Sequence, residues 1–260
     1  MTSLPAIFVS HGSPMLVLDD VPARDFLASL GATLPRPRAI VVVSAHYETE
    51  GVRVVTDARP RVIHDFHGFP KALYEMRYDA PGDPELAAHI IARLTDAGLE
   101  AQGDDRWGFD HGVWVPLMLM YPEADIPVVA VSIDTAAGPE HHRRLGAALA
   151  PLREDDVLIL GSGSLTHNLG ELQRDGSEAL GAADWVTRFV DWTADAIREG
   201  RTDDLLQYRR RAPDAARNHP TEEHFLPIFA ALGAGGEGKG RRLHASTTFS
   251  VLAMDAYAFG

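Results

Sequence analysis

Four short stretches of this chain are built almost wholly from Val, Ile, Leu and Ala: AIFVS (6–10), AIVVVSA (39–45), IPVVAVSI (126–133) and DVLILGS (156–162). A strand with one wet face alternates apolar and polar residues. An unbroken apolar run has to be covered on both faces, as in a parallel sheet sandwiched by helices. Helical patterns separate the runs, at 23–34, 83–98, 138–149 and 182–200. The second of these, DPELAAHIIARLTDAG, opens on an Asp-Pro cap and first turn and stops at Gly98. A weaker strand is predicted at 52–56 and a late one at 247–254. The tract GAGGEGKGRR (233–242) reads as a flexible surface loop. No linker divides the 260 residues. The pattern predicts one α/β domain over 1–260, with a mostly parallel or mixed central sheet flanked by helices.

Composition narrows the chemistry. The chain has no cysteine, which excludes thiolate zinc sites, Fe–S clusters and a cysteine nucleophile. Any metal must be held by His, Asp or Glu. The formal net charge of -13 argues against nucleic acid, whose binding needs a basic surface. The one basic cluster, YRRRA (208–212), reads as a solvated helix face. No apolar run approaches the ~20 residues of a membrane helix, and the first residues lack the basic region of a secretory leader. The expectation is a soluble, cytoplasmic protein without a membrane partner, a monomer or small homo-oligomer.

The chain holds twelve histidines, and their positions matter. Ligands in open α/β sheets bind beyond the carboxyl ends of the strands. His11 ends the first run, His46 ends the second, and His167 follows the fourth after a small-residue loop. Three imidazoles at one sheet edge point to metal or acid–base chemistry. Ser10 and Ser44 lie near His11 and His46 in sequence and could orient a ring nitrogen. His111 sits in WGFDHGVWVPLMLMYP (107–122), a loop entering a buried helix; Trp107, Phe109 and Trp114 suit either a pocket wall or the core. His219 and His224 flank PTEE, where Pro220 and Thr221 predict a helix start. Five residues apart, those two do not share a helix face, so at most one joins a given metal. His64 and His67 lie in a loop dense in Gly, Pro and aromatics, a lid or a structural cover. His89, His141, His142 and His244 read as exposed or partly packed. GSGS (161–164) lacks both glycine fingerprints of nucleotide sites and the G-x-S-x-G elbow of serine hydrolases.

Six motifs carry a resemblance: HGSP (11–14), VVVSAHYE (41–48), IHDFHGFP (63–70), WGFDHGVWVPL (107–117), SGSLTHNL (162–169) and PTEEHFLP (220–227). In order and spacing they resemble the DODA-type (4,5-DOPA) branch of the class III, LigB-like extradiol dioxygenases, over nearly the whole chain. The resemblance implies a LigB-like fold and cleavage of a catechol ring by O2. It implies His11, His46 and His224 as metal ligands, His167 as the catalytic acid/base, and His111 as a catalytic residue touching substrate or oxygen. His64 would be a substrate-pocket residue. The wider superfamily uses a carboxylate as third ligand, so Glu223 is the rival to His224. Fe(II) is the metal expected for activity. Zinc binds imidazole more tightly and is the metal expected in purified protein. Two other readings stay open: a zinc hydrolase, since three histidines with an open position also describe catalytic zinc, and a non-catalytic metal-binding protein.

Overall fold

The computed structural model describes residues 3–172, 181–236 and 238–260. Its strands are β1 (Ala6–Ser10), β2 (Ala39–Glu48), β3 (Val52–Val55), β4 (Ala101–Asp104), β5 (Val128–Ile133), β6 (Val157–Gly163), β7 (Gly240–His244), β8 (Thr247–Thr248), β9 (Leu252–Ala253) and β10 (Ala256–Phe259). Its α-helices are α1 (Pro22–Thr33), α2 (Lys71–Glu75), α3 (Pro84–Asp96), α4 (His111–Met120), α5 (Gly138–Leu149), α6 (Asp184–Glu199), α7 (Thr202–Leu206), α8 (Tyr208–Arg211), α9 (Ala215–Asn218) and α10 (Leu226–Gly235).

Eight strands form one mixed sheet in the order β4-β3-β5-β2-β6-β1-β10-β7. The centre, β5-β2-β6-β1, is parallel and comprises the four apolar runs. β3 runs antiparallel to β5, and β10 and β7 add antiparallel strands beyond β1. Residues of β2 alternate between two cores. Ala39, Val41 and Val43 pack with α3, α5, α6 and α10. Ile40 and Val42 pack with α1 and α4 on the other face. Both faces are thus dry, which is why these strands read as unbroken apolar runs.

The late part of the chain departs from expectation. The run 247–254 is not a sheet strand; it forms the β8–β9 hairpin. The strands that complete the sheet are the charged β7 and the short β10. Val251, Leu252, Ala253 and Met254 are apolar because they are buried in the cores, not because they extend the sheet. The Gly-rich tract is no continuous loop either: it spans the end of α10 and the start of β7, with residue 237 outside the described residues. Pro220 and Thr221 do not open a helix. Residues 220–225 are turns, and the next helix starts at Leu226 with Pro227 in its first turn. His142, expected at least partly exposed, is fully buried, bridging the Gly138 carbonyl and the Asp134 N–H.

Candidate metal centre

β1, β6 and β2 are neighbouring parallel strands, so their carboxyl ends open on one place. His11 is the first residue past β1, and His46 lies two residues before the end of β2. Their Nε2 atoms are 3.0 Å apart. His224 comes from the turn before α10, and its Nε2 is 3.3 Å from that of His46. That turn lies close over β6 because residue 163 is glycine: a Cβ there would stand 2.1 Å from the His224 carbonyl oxygen.

Hydrogen bonds on the far side of the His11 and His224 rings fix which nitrogen is bare. Ser162 donates its hydroxyl hydrogen to the Gly112 carbonyl, so at 3.0 Å it accepts from His11 Nδ1–H. His224 Nδ1–H donates to Glu223 Oε1 at 3.0 Å. His46 Nδ1 faces Asp65 Oδ2 at 3.6 Å. His11 and His224 therefore each present an Nε2 lone pair to the Nε2 of His46. The serine that serves His11 comes from β6, not from its own strand. Ser10 bonds the Asp255 carbonyl and the Leu165 N–H. Ser44 bonds Asp110 and accepts the His46 backbone N–H, so it holds strand rather than ring.

Two more imidazoles complete the cluster. His111 opens α4, and Asp65 grips it twice, accepting its backbone N–H at 3.0 Å and its Nδ1–H at 2.9 Å. One nitrogen from each of His11, His46 and His111 falls within a common 4.8 Å. His167 stacks on His224, ring centroids 3.4 Å apart and 11° from parallel. Its backbone N–H bonds the Asn218 carbonyl, so residue 218 sets the loop that carries it. His219 stays out of the cluster. It is buried among Phe189, Tyr208 and Phe225, donating from Nε2 to the Leu165 carbonyl.

Asp65 was not singled out from sequence. Its only signal is its place inside IHDFHGFP, where its histidine neighbours draw attention first. His64 instead points away. It packs near Phe66, Tyr74 and Trp114 and does not line the cavity above the cluster. Phe109 and Trp114 are core residues, and Trp107 stacks on Tyr47. That cavity holds about 630 Å³ and is walled by the five clustered histidines with Met15, Phe66, Phe69, Phe249 and Leu252.

Burial, then the mutual repulsion of neighbouring imidazolium charges, pushes His11 and His224 well below the usual histidine range. The same causes bring His46 down to about 3, against the pull of Asp65. Burial brings His167 to about 4. Burial would raise Asp65, but the His111 N–H bonds and nearby imidazoles outweigh it and hold the carboxyl low. His11, His46, His167 and His224 are thereby neutral nitrogen donors. The Nε2 atoms of His11 and His224 stand 3.0 and 3.3 Å from that of His46. Imidazole ligands at metal distances of about 2.0–2.1 Å stand about 2.9–3.4 Å apart at right-angled to tetrahedral spacing. The donor set fits a metal ion.

The ring of His46 has no slack. A Cβ on Gly112 would lie 2.5 Å from Ser44 Oγ and 3.1 Å from His46 Cδ2. Gly112→Ala should therefore weaken metal binding about 10–100-fold and destabilise the fold by about 1–3 kcal/mol. Metal titration and thermal unfolding of the variant check both; unchanged affinity would show that the ring can move.

Residues 5–260 match the family model described as the catalytic LigB subunit of aromatic ring-opening dioxygenase. A protein of Beta vulgaris named 4,5-DOPA dioxygenase extradiol is 41% identical over 259 residues, covering 97% of this chain and 95% of the relative. One of the same name from Escherichia coli K12 is 41% identical over 236 residues, 90% of this chain and 86% of the relative. The crystal structure of an uncharacterized Escherichia coli K12 protein superposes with a TM-score of 0.81 at 33% identity, covering 99% of this chain and 100% of that one. A histidine cluster at the carboxyl edge of a mixed sheet and a family match over almost every residue lead to one statement: the chain belongs to the LigB family of aromatic ring-opening dioxygenases.

Proposed function

We propose that this protein is an extradiol dioxygenase that opens the ring of a catechol with O2, the whole of 1–260 forming one catalytic domain. The observation that carries the reading is the convergence of the Nε2 atoms of His11 and His224 on that of His46, with two further histidines, at the floor of an apolar cavity. His11, His46 and His224 are the metal ligands. Glu223 is the group behind His224, since its Oε1 already accepts from the His224 ring and from Thr221. Fe(II) is the metal for activity, and zinc, which binds imidazole more tightly than Fe(II), is the ion expected in purified protein. When bound, the metal supplies a Lewis-acidic dication with positions left for catechol and dioxygen.

The chain's own residues do the rest. Phe66, Phe69 and Phe249 hold the aromatic ring and exclude water. Among the described residues no protein group hydrogen-bonds the His167 ring, so it can take a hydroxyl proton from the catechol and return it later. Asp65 fixes His111 with Nδ1–H turned away, which leaves Nε2 for the reacting groups.

Anaerobic loading with Fe(II), followed by a catechol and air, should give stoichiometric oxygen uptake and a yellow ring-opened product. Turnover with Zn(II) and no oxygen would instead make it a hydrolase. His167→Asn should keep its metal and lose about 10²–10⁴ in kcat. A variant that loses metal as well would show that His167 is a ligand.

A further inference from the structure

We propose that the β8–β9 hairpin is the element that seats the substrate ring: it presents Phe249 on the cavity wall and holds that side chain in register with His167. The inference rests on the ring-cleavage reading above. Thr247 pairs with Ala253 and Thr248 with Leu252, and the Val251 N–H closes the tip on the Thr248 carbonyl at 3.3 Å. The two central residues, Phe249 and Ser250, have φ of 52° and 58°. A tip with both central residues at positive φ is the type I′ turn, whose usual occupants are Asn-Gly, Asp-Gly or Gly-Gly. A side chain with a Cβ is disfavoured there, and a bulky one most of all. Asp156 and Asp214 are also left-handed, but an aspartate tolerates that conformation through its own local hydrogen bonds. A phenyl ring has none to make. The ring of Phe249 instead lines the cavity above the five histidines, as does Leu252. The tip carries a residue that suits the cavity and not the turn, the pattern of strain kept at a functional site. The conformation is imposed from outside. The Ser250 carbonyl accepts the Ala183 N–H, just before α6, at 2.9 Å. Thr166, fully buried, donates its hydroxyl to the Val251 carbonyl and accepts the Ala253 N–H, both at 2.7 Å. Thr166 is the residue before His167. One hydroxyl thus ties the hairpin that carries Phe249 to the loop that carries the proton-transfer histidine.

Phe249→Ala and Phe249→Gly both delete the ring, but only glycine relieves the left-handed tip. With the Fe(II)-loaded enzyme, and L-DOPA and 4-methylcatechol as probes, both variants should raise KM by about tenfold or more while kcat changes less. Anaerobic calorimetry should show the same loss of binding. Phe249→Gly should melt above Phe249→Ala, the reverse of the usual order. KM and binding unchanged in both folded variants overturn the proposal. A glycine variant that melts below the alanine one also overturns it, since the tip then stores no strain. Thr166→Val removes both bonds to the hairpin and should lower kcat by about 10–100-fold with metal affinity unchanged, and Thr166→Ser should restore it. An unchanged kcat in Thr166→Val overturns the register with His167; where that variant fails to fold, the Phe249 pair decides alone. A parent that binds the probes without oxygen-dependent cleavage sinks only the ring-cleavage reading, since the isotherms still rank the variants. A parent that binds neither probe overturns both.

Discussion

His46→Ala should leave a folded protein that neither retains metal nor turns over a catechol, with activity down ~10³-fold or more. His46 is the central donor, its Nε2 lying 3.0 Å from that of His11 and 3.3 Å from that of His224. Without it, two donors remain, and the remaining pair has no shared neighbour. Stability responds differently. In the metal-free protein burial holds His46 neutral, so removing its ring costs packing rather than an ion pair. The variant should melt in chelator no lower than the parent by more than the loss of packing explains. Added metal then separates the two. A ligand present at 100 times its Kd stabilises the parent by about 2.7 kcal/mol, whereas His46→Ala should show no shift. Bound-metal analysis alongside thermal melts checks both halves; a variant that still takes up one equivalent with the parent's shift would displace the centre from these residues. His224→Ala should behave like His46→Ala. Glu223→Gln should lose only about 10–100-fold in metal affinity, as a hydrogen-bond partner of a ligand does. The reverse order would give the third place to the carboxylate.

The central parallel strands were legible because burial on both faces writes an unbroken Val/Ile signature, and the histidines just beyond them were legible because strand ends are where such sheets bind ligands. What was hidden follows from the same physics. β4 (AQGD) and β7 (GRRLH) sit at the two edges of the sheet, where charge and short length protect against pairing with other chains, so neither has a strand's apolar pattern. The apolar run 247–254 drew the eye instead, though its burial comes from packing as a hairpin. In the site, the imidazoles could be found, but their partners could not. Ser162 is 151 residues from His11, and Asp65 is 46 from His111. Nothing local distinguishes either from any other serine or aspartate. Residues adjacent in sequence, Ser10 and Ser44, were the natural candidates and turn out to serve the backbone.

Metal-free protein should unfold on mild acidification, with most of its stability gone near pH 5. His142 and His219 are fully buried, and burial brings them to about 4 and about 3. His46 and His167 lie at about 3 and about 4. In the unfolded chain each returns to about 6.5. Because the folded value is depressed, the unfolded chain takes up protons first as pH falls. The stability contributed is therefore complete above about 6.5 and is lost on the way down to the folded value. From pH 6.5 to 5 the loss is about 2 kcal/mol for each of these four histidines, and His11 and His224, also depressed, add to it. Two buried carboxyls act the other way. Burial pushes Asp110 and Asp255 up to about 6, so they bind protons in the folded state below that value and recover about 1.4 kcal/mol each between pH 6 and 5. The histidines win by several kcal/mol, against a typical domain stability of about 5–15 kcal/mol. Urea unfolding of chelator-treated protein at pH 7, 6 and 5 measures the slope. His142→Gln isolates one contributor away from the metal centre: whatever its stability at pH 7, its loss between pH 6.5 and 5 should be smaller than the parent's by about 2 kcal/mol. An identical slope would mean that this imidazole is protonated in the folded state, in which case it could not accept the Asp134 N–H that it now holds at 3.2 Å.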